Sequence, residues 1–102
     1  MQFKTWLNED WTHKGWTSSD NTVNGDLDID DHFNLIGIWN WHSMKQGEGN
    51  SVKALQELRT TYPNYKIHVL SAMDEAIPYW QIMAKRGLID KISDTNDQQI
   101  YP

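Results

Sequence analysis

Between Leu35 and Ser71 the hydrophobic period of the chain changes twice, and this stretch restricts the fold more than any other. Residues 35–44, LIGIWNWHSM, are rich in β-branched and aromatic types and long enough for a strand. Ile36, Ile38 and Asn40 fall on one face, with Leu35, Gly37, Trp39 and Trp41 on the other. Both faces are mostly apolar, so the strand is expected to be central and covered on both sides. Residues 51–62, SVKALQELRTTY, then place Val52, Leu55, Leu58 and Tyr62 at helical spacing, with Lys53, Gln56, Glu57 and Arg59 outward. Asn50 or Ser51 can cap the start of that helix, and Pro63 forces its end. YKIHVLS (65–71) returns to a short apolar strand. Strand, helix and strand with short connections make a βαβ unit, so the two strands are expected to lie parallel in one sheet.

The rest of the chain extends this α/β pattern. Ser71 or Asp74 can open a second helix, with Pro78 tolerated in its first turn. Ile77, Trp80, Met83 and Ala84 form its apolar stripe, and Lys85, Arg86 and Gly87 supply a stop. Leu88, Ile89 and Ile92 suggest a last short strand before a polar tail at 93–102. The first 32 residues are the least readable. A short strand is expected at 2–7, then irregular chain, because Trp6, Trp11 and Trp16 recur every five residues, which fits neither regular period. SSDNTVNGD (18–26) reads as a loop. In DLDIDDHF, Leu27, Ile29 and Phe33 alternate with Asp26, Asp28, Asp30 and His32. A solvated acidic face is the plain reading of that run.

The 102 residues fit one domain with one core. The net charge of −5 is unevenly placed: residues 1–50 carry 3 basic and 8 acidic side chains, and residues 51–102 carry 6 of each. No basic footprint for nucleic acid is present. The acidic first half can attract a cationic substrate or a basic partner. Without cysteine, there is no disulfide, thiolate metal site or cysteine nucleophile. No apolar run reaches membrane-spanning length and MQFKTWLNEDW does not read as a signal peptide, so a soluble, cytoplasmic protein is expected.

QGEGNS (46–51), between the first strand and the first helix of the βαβ unit, carries the chemistry. The carboxyl end of a central strand and the amino end of a helix meet where open α/β sheets bind ligands. The helix start offers backbone N–H groups and a dipole that favours an anion. One glycine suffices for a tight turn; two spaced by one residue, Gly47 and Gly49, fit an anion cradle better. A phosphate-binding P-loop needs a lysine and a hydroxyl residue after its last glycine, and Asn50, Ser51 and Val52 follow instead. A dinucleotide fingerprint needs a third glycine where Val52 stands.

QGEGNS resembles the Q/R-x-x-G-x-G/A motif of the GCN5-related N-acetyltransferases (GNAT). Gln46 takes the first position, Gly49 the glycine and Ser51 the small last residue. The succession around it is also similar: strand, loop, helix ending at YP, strand KIHVL, then AIPYWQIMAKRGLID with Ala76, Tyr79–Trp80, Gly87 and Leu88. The resemblance spans residues 33–92. It implies a GNAT-like mixed central sheet with a βαβα C-terminal half and a shortened N-terminal part. It also implies acetyl-CoA as cosubstrate, with Met44, Gln46, Gly47, Gly49, Asn50 and Ser51 holding it. The reaction would be direct attack of an amine, on a small molecule or a protein, at the thioester. Asp30 or Asp31 would act as general base and Tyr79 as acid toward the thiolate. A non-catalytic GNAT-like inhibitor or adaptor with an acidic surface is the alternative, and a homodimer completing one acceptor site is a third reading.

Metal sites do not fit. NGDLDIDD resembles a calcium loop in its acid spacing, but Asp31 and Gly37 stand where glycine and glutamate are needed. His13, His32, His42 and His68 show no zinc spacing.

Overall fold

The computed structural model describes residues 11–44 and 49–102. The elements run β1 (Trp11–Thr17), β2 (Val23–Asp30), β3 (Leu35–Ser43), α1 (Asn50–Thr61), β4 (Lys66–Ala72), a 3-10 turn (Asp74–Ala76), α2 (Ile77–Lys85), β5 (Lys91–Asp94) and β6 (Gln99–Tyr101). The strands form one six-stranded sheet in the order β1-β2-β3-β4-β5-β6. β3, β4 and β5 are parallel, and the remaining neighbours pair antiparallel. The α/β class, the parallel βαβ unit and both helices follow the sequence expectation.

Both helices cover the same sheet face. Across the strands, Leu27 lies opposite Ile38, Ile38 opposite Val69 and Val69 opposite Ile92, while Ile29 lies opposite Ile36 and Ile36 opposite Ile67. These rows form one buried cluster with Leu55 and Leu58 of α1 and Trp80, Met83 and Ala84 of α2. Consecutive right-handed crossovers that step one strand at a time in the same direction place successive helices on one side. Gly87, at φ 76°, ends α2: its N–H donates to Ala84 and that of Leu88 to Met83, closing the last turn.

The face away from the helices carries a different row. His13, Asp28, Gly37, His68 and Lys91 lie opposite one another across five strands. Asp28 and His68 are buried there. Gly37 gives Leu70 its place: a Cβ at position 37 would lie 2.5 Å from Leu70 Cδ1 and 3.7 Å from the Trp11 ring.

Several sequence expectations are corrected. Residues 11–17 form a strand rather than irregular chain. On an extended strand an odd spacing puts two residues on opposite faces: Trp16 stacks on Trp41, whereas Trp11 approaches Gly37. β1 is an edge strand, mostly exposed, and an edge strand need not alternate in hydrophobicity. The loop expected over 18–26 is shorter, because β2 begins at Val23. Phe33 does not join Leu27 and Ile29; it sits exposed in the turn after β2. The last strand expected from Leu88, Ile89 and Ile92 begins only at Lys91 and takes in Ser93 and Asp94 of the polar tail; the tail then folds back as β6, and Asp94 holds the turn by accepting the N–H groups of Asn96 and Gln98. The strand expected at 2–7 lies outside the described residues.

The acidic run is a solvated face only in part: Asp31 is exposed and Asp26 half-buried, whereas Asp28 and Asp30 are 3% and 1% exposed and both bonded. Asp28 receives His13 Nδ1 at 2.8 Å and Trp39 Nε1 at 2.6 Å. Asp30 accepts the N–H groups of His32 and Phe33, holding the turn into β3.

Gly37→Ala is expected to lower unfolding stability by about 1–3 kcal/mol through overpacking against Leu70, measured by urea denaturation. A second expectation concerns His68, whose Nε2 lies 2.7 Å from Ser93 Oγ. Burial, with a smaller contribution from Lys91, pushes its imidazole down from 6.5 to about 4. Between those values the unfolded chain binds a proton that the folded chain refuses. The stability held by the neutral ring is thus present above pH 6.5 and lost as pH falls toward 4. At about pH 5 the loss amounts to about 2 kcal/mol. In His68→Gln the drop in unfolding free energy between neutral and that pH should shrink by this amount.

Candidate functional site: a cleft where two strands part

β3 and β4 pair from Leu35–Lys66 to Ile38–Val69, and both strands then continue beyond the last pair. The cause is local. Asn24 lies opposite His42 and Asp26 opposite Trp39, so Asn40 and Trp41 together face Gly25. On the far side Val69 lies opposite Ile92 and Ala72 opposite Asp94, so Leu70 and Ser71 face Ser93. Each of the two adjacent strands therefore carries one extra residue. Asn40 has φ 50° and Ser71 φ 56°, left-handed values that bend a strand and end regular pairing. The extra residue also corrects the sequence reading of β3. Trp41 turns to the helix-covered face, where its ring stacks on Trp16 at 5.6 Å and meets Trp80 edge-on at 6.1 Å. Asn40 points instead to Asp26, which its Nδ2 reaches at 2.9 Å.

Two cavities flank the gap. The larger, about 670 Å³, runs between the start of α1 and the length of α2. Gly49, Asn50, Ser51 and Val52 form one side and Tyr79, Met83 and Arg86 the other, with Trp41 and Trp80 between. The smaller, about 350 Å³, lies between the diverging strands and includes Trp39, Asn40, Ser71, Met73 and Thr95. Trp41, Glu75, Ala76 and Trp80 line both.

The start of α1 departs from a side-chain-capped helix. Gly49, not Asn50 or Ser51, is the N-cap residue, at φ 75° and ψ 10°, and no side chain among the described residues caps the helix. The first intrahelical bond is Lys53 N–H to Gly49 C=O at 3.1 Å. The amides of Ser51 and Val52 lie before it, so the helix itself offers them no acceptor. No acidic residue occupies the first turn to oppose an anion. Ser51 Oγ lies 3.3 Å from Trp41 Nε1, which ties the helix start to the diverging strand.

The sequence-predicted residues separate into two places. Gly49, Asn50, Ser51 and Tyr79 line the larger cavity together. Met44 is exposed beyond the end of β3, its N–H bonded to the Thr22 carbonyl. Gln46 and Gly47 lie outside the described residues. Asp30 and Asp31 sit at the opposite end of the sheet, since Asp30 pairs with Leu35, the first residue of β3. From Leu35 to Trp41 a strand covers roughly 20 Å, so neither carboxylate reaches the cleft. Asp30 holds its turn, and Asp31 accepts the hydroxyl of Tyr65, which raises the pKa of that phenol. Residues that sequence reasoning did not assign to the site are Glu75 and Arg86. Glu75 lies in the 3-10 turn before α2 and Arg86 just past its end, so where they stand depends on how that segment docks on the sheet. No group of metal-binding side chains occurs among the described residues, and no helix among them is long and apolar enough to cross a membrane.

No protein-family model, curated protein or solved structure matches this chain.

Asp28 fixes the ring of Trp39 from the buried side. Asp28→Ala would leave the indole N–H without that acceptor and is expected to cost about 1.5–3 kcal/mol of stability. Thermal unfolding, with the Trp39 indole N–H followed by NMR, measures both the loss and the displaced ring.

Proposed function

We propose that the protein binds acetyl-CoA in the larger cavity and transfers its acetyl group to an amine. One observation carries the reading: two neighbouring parallel strands part beyond Ile38 and Val69, beside a helix start entered through a left-handed glycine with no side-chain cap among the described residues. Parted strands expose main-chain groups that can pair with an extended, amide-bearing arm such as pantetheine. The amides of Ser51 and Val52 and the α1 dipole favour a diphosphate by about 0.3–1 kcal/mol or somewhat more. Arg86 adds a cation on the opposite wall. The QGEGNS resemblance points to the same place.

In the proposed reaction the ammonium gives a proton to water, and the neutral amine nitrogen attacks the thioester carbonyl. The C–N bond forms, the C–S bond breaks, and the sulfur leaves as a thiolate that takes up a proton. Tyr79 lines the cavity and is the candidate donor to that thiolate. Main-chain groups of the parted strands orient the thioester and stabilise its oxyanion. Asp30 and Asp31 stand too far away to serve as base, and this placement favours a second reading, binding of the coenzyme without transfer.

Calorimetric titration with acetyl-CoA tests the proposal, using Gly49→Asp and Gly49→Asn as a matched pair. Both side chains tolerate the left-handed backbone, so they differ chiefly in charge. Saturable binding is expected in the parent, and about tenfold weaker binding in the aspartate variant than in the asparagine variant. The added acid should not destabilise the fold, because a negative charge at a helix start is favourable. No binding by the parent overturns the reading. Binding without product across a panel of amines leaves the second reading.

A further inference from the structure

Sulfur chemistry in this chain falls to methionine, because it contains no cysteine. We propose that Met73 is a site of reversible oxidation by hydroperoxides, and that its sulfoxide changes the wall of the smaller cavity. Among the described residues, Met83 is 3% exposed in the core, whereas Met44 is 67% and Met73 59% exposed. Exposure decides which thioether a peroxide reaches. The two open ones hold matching positions: Met44 directly follows β3 and Met73 directly follows β4, the two strands that part. Their surroundings differ, however. Met73 lines the smaller cavity, and Met44 lines neither cavity.

In the oxidation a sulfur lone pair attacks the outer oxygen of the hydroperoxide. The S–O bond forms as the O–O bond breaks, and the departing oxygen takes the peroxide's own proton and leaves as water or an alcohol. Sulfur loses two electrons and the peroxide gains them, so no further reagent is needed. The product is a polar acceptor where an apolar side chain stood. Three N–H donors of the cavity walls are already engaged: Trp39 Nε1 with Asp28, Asn40 Nδ2 with Asp26 and Trp41 Nε1 with Ser51. Glu75, also on the wall, is itself an acceptor. A buried sulfoxide without a donor costs free energy, so the side chain turns toward water or the hydroxyls of Ser71 and Thr95, and the gap loses part of its wall. The main chain stays in place, because the Met73 carbonyl accepts the N–H of Ala76 at 2.8 Å and Ala72 is buried. Enzymatic reduction of the sulfoxide restores the thioether. None of these steps depends on acetyl transfer.

The test treats the full chain carrying Met44→Leu with hydrogen peroxide and follows each methionine by peptide mass mapping. Met44 is exposed, so this variant should fold normally, which its NMR spectrum checks. Met73 is expected to gain one oxygen at least about tenfold faster than Met83. Oxidation should also shift the backbone amides of Asn40 and Trp41, on the strand across the gap from Met73, and methionine sulfoxide reductases should restore them. In the double variant Met44→Leu, Met73→Leu the same peroxide treatment should leave those amides unmoved. Oxidation of Met73 no faster than that of Met83 overturns the inference. So do shifts confined to residues 71–76, or shifts equally large in the double variant.

Discussion

Asn40 in β3 and Ser71 in β4 are each one residue more than their outer neighbours can pair with, and the architecture of the cleft depends on those two insertions. Below them the strands are in register and the side chains form continuous rows from Leu27 to Ile92. Above them, pairing between β3 and β4 ends, and a space opens between the two strands. A closed sheet would satisfy its main-chain groups internally; a parted one leaves some facing a cavity. The left-handed angles at both insertions cost free energy, and the buried cluster of sheet and helices compensates.

The two faces of the sheet divide the work. The helix-covered face holds the apolar core, and through Trp41 and Trp80 it also walls the larger cavity. The other face carries the bonded polar groups, including the His13–Asp28–Trp39 chain and the His68–Ser93 pair. The buried carboxylate of Asp28 is stabilised by two donors rather than by solvent. Through its bond to Trp39 Nε1 it ties β2 to β3 at the residue just before the insertion.

Much of this architecture was legible in sequence. The Leu55 and Leu58 spacing, the Pro63 stop, the KIHVL strand and the Gly87 termination each express a local rule, and each element lies where that rule puts it, within a residue or so. The clustering of Gly49, Asn50, Ser51 and Tyr79 was also readable, because helix starts and strand ends meet at one edge of a parallel sheet. Edge strands were hard to see: β1 and β6 are short or mostly exposed, so hydrophobic period carries little signal there. The acidic alternation at 26–31 reads as solvated because nothing local reveals that His13 and Trp39 supply donors to Asp28 and two backbone amides supply them to Asp30.

The sequence by itself determined the α/β class and the parallel unit around α1, because hydrophobic period and helix breakers act over a few residues. Only the tertiary structure decided where the sheet opens, that Trp41 turns inward, and that Glu75 and Arg86, rather than Asp30 and Asp31, stand at the cleft. Those outcomes depend on where a strand gains one residue over its neighbour and on how the helices dock, and a one-residue shift moves every later side chain to the other face.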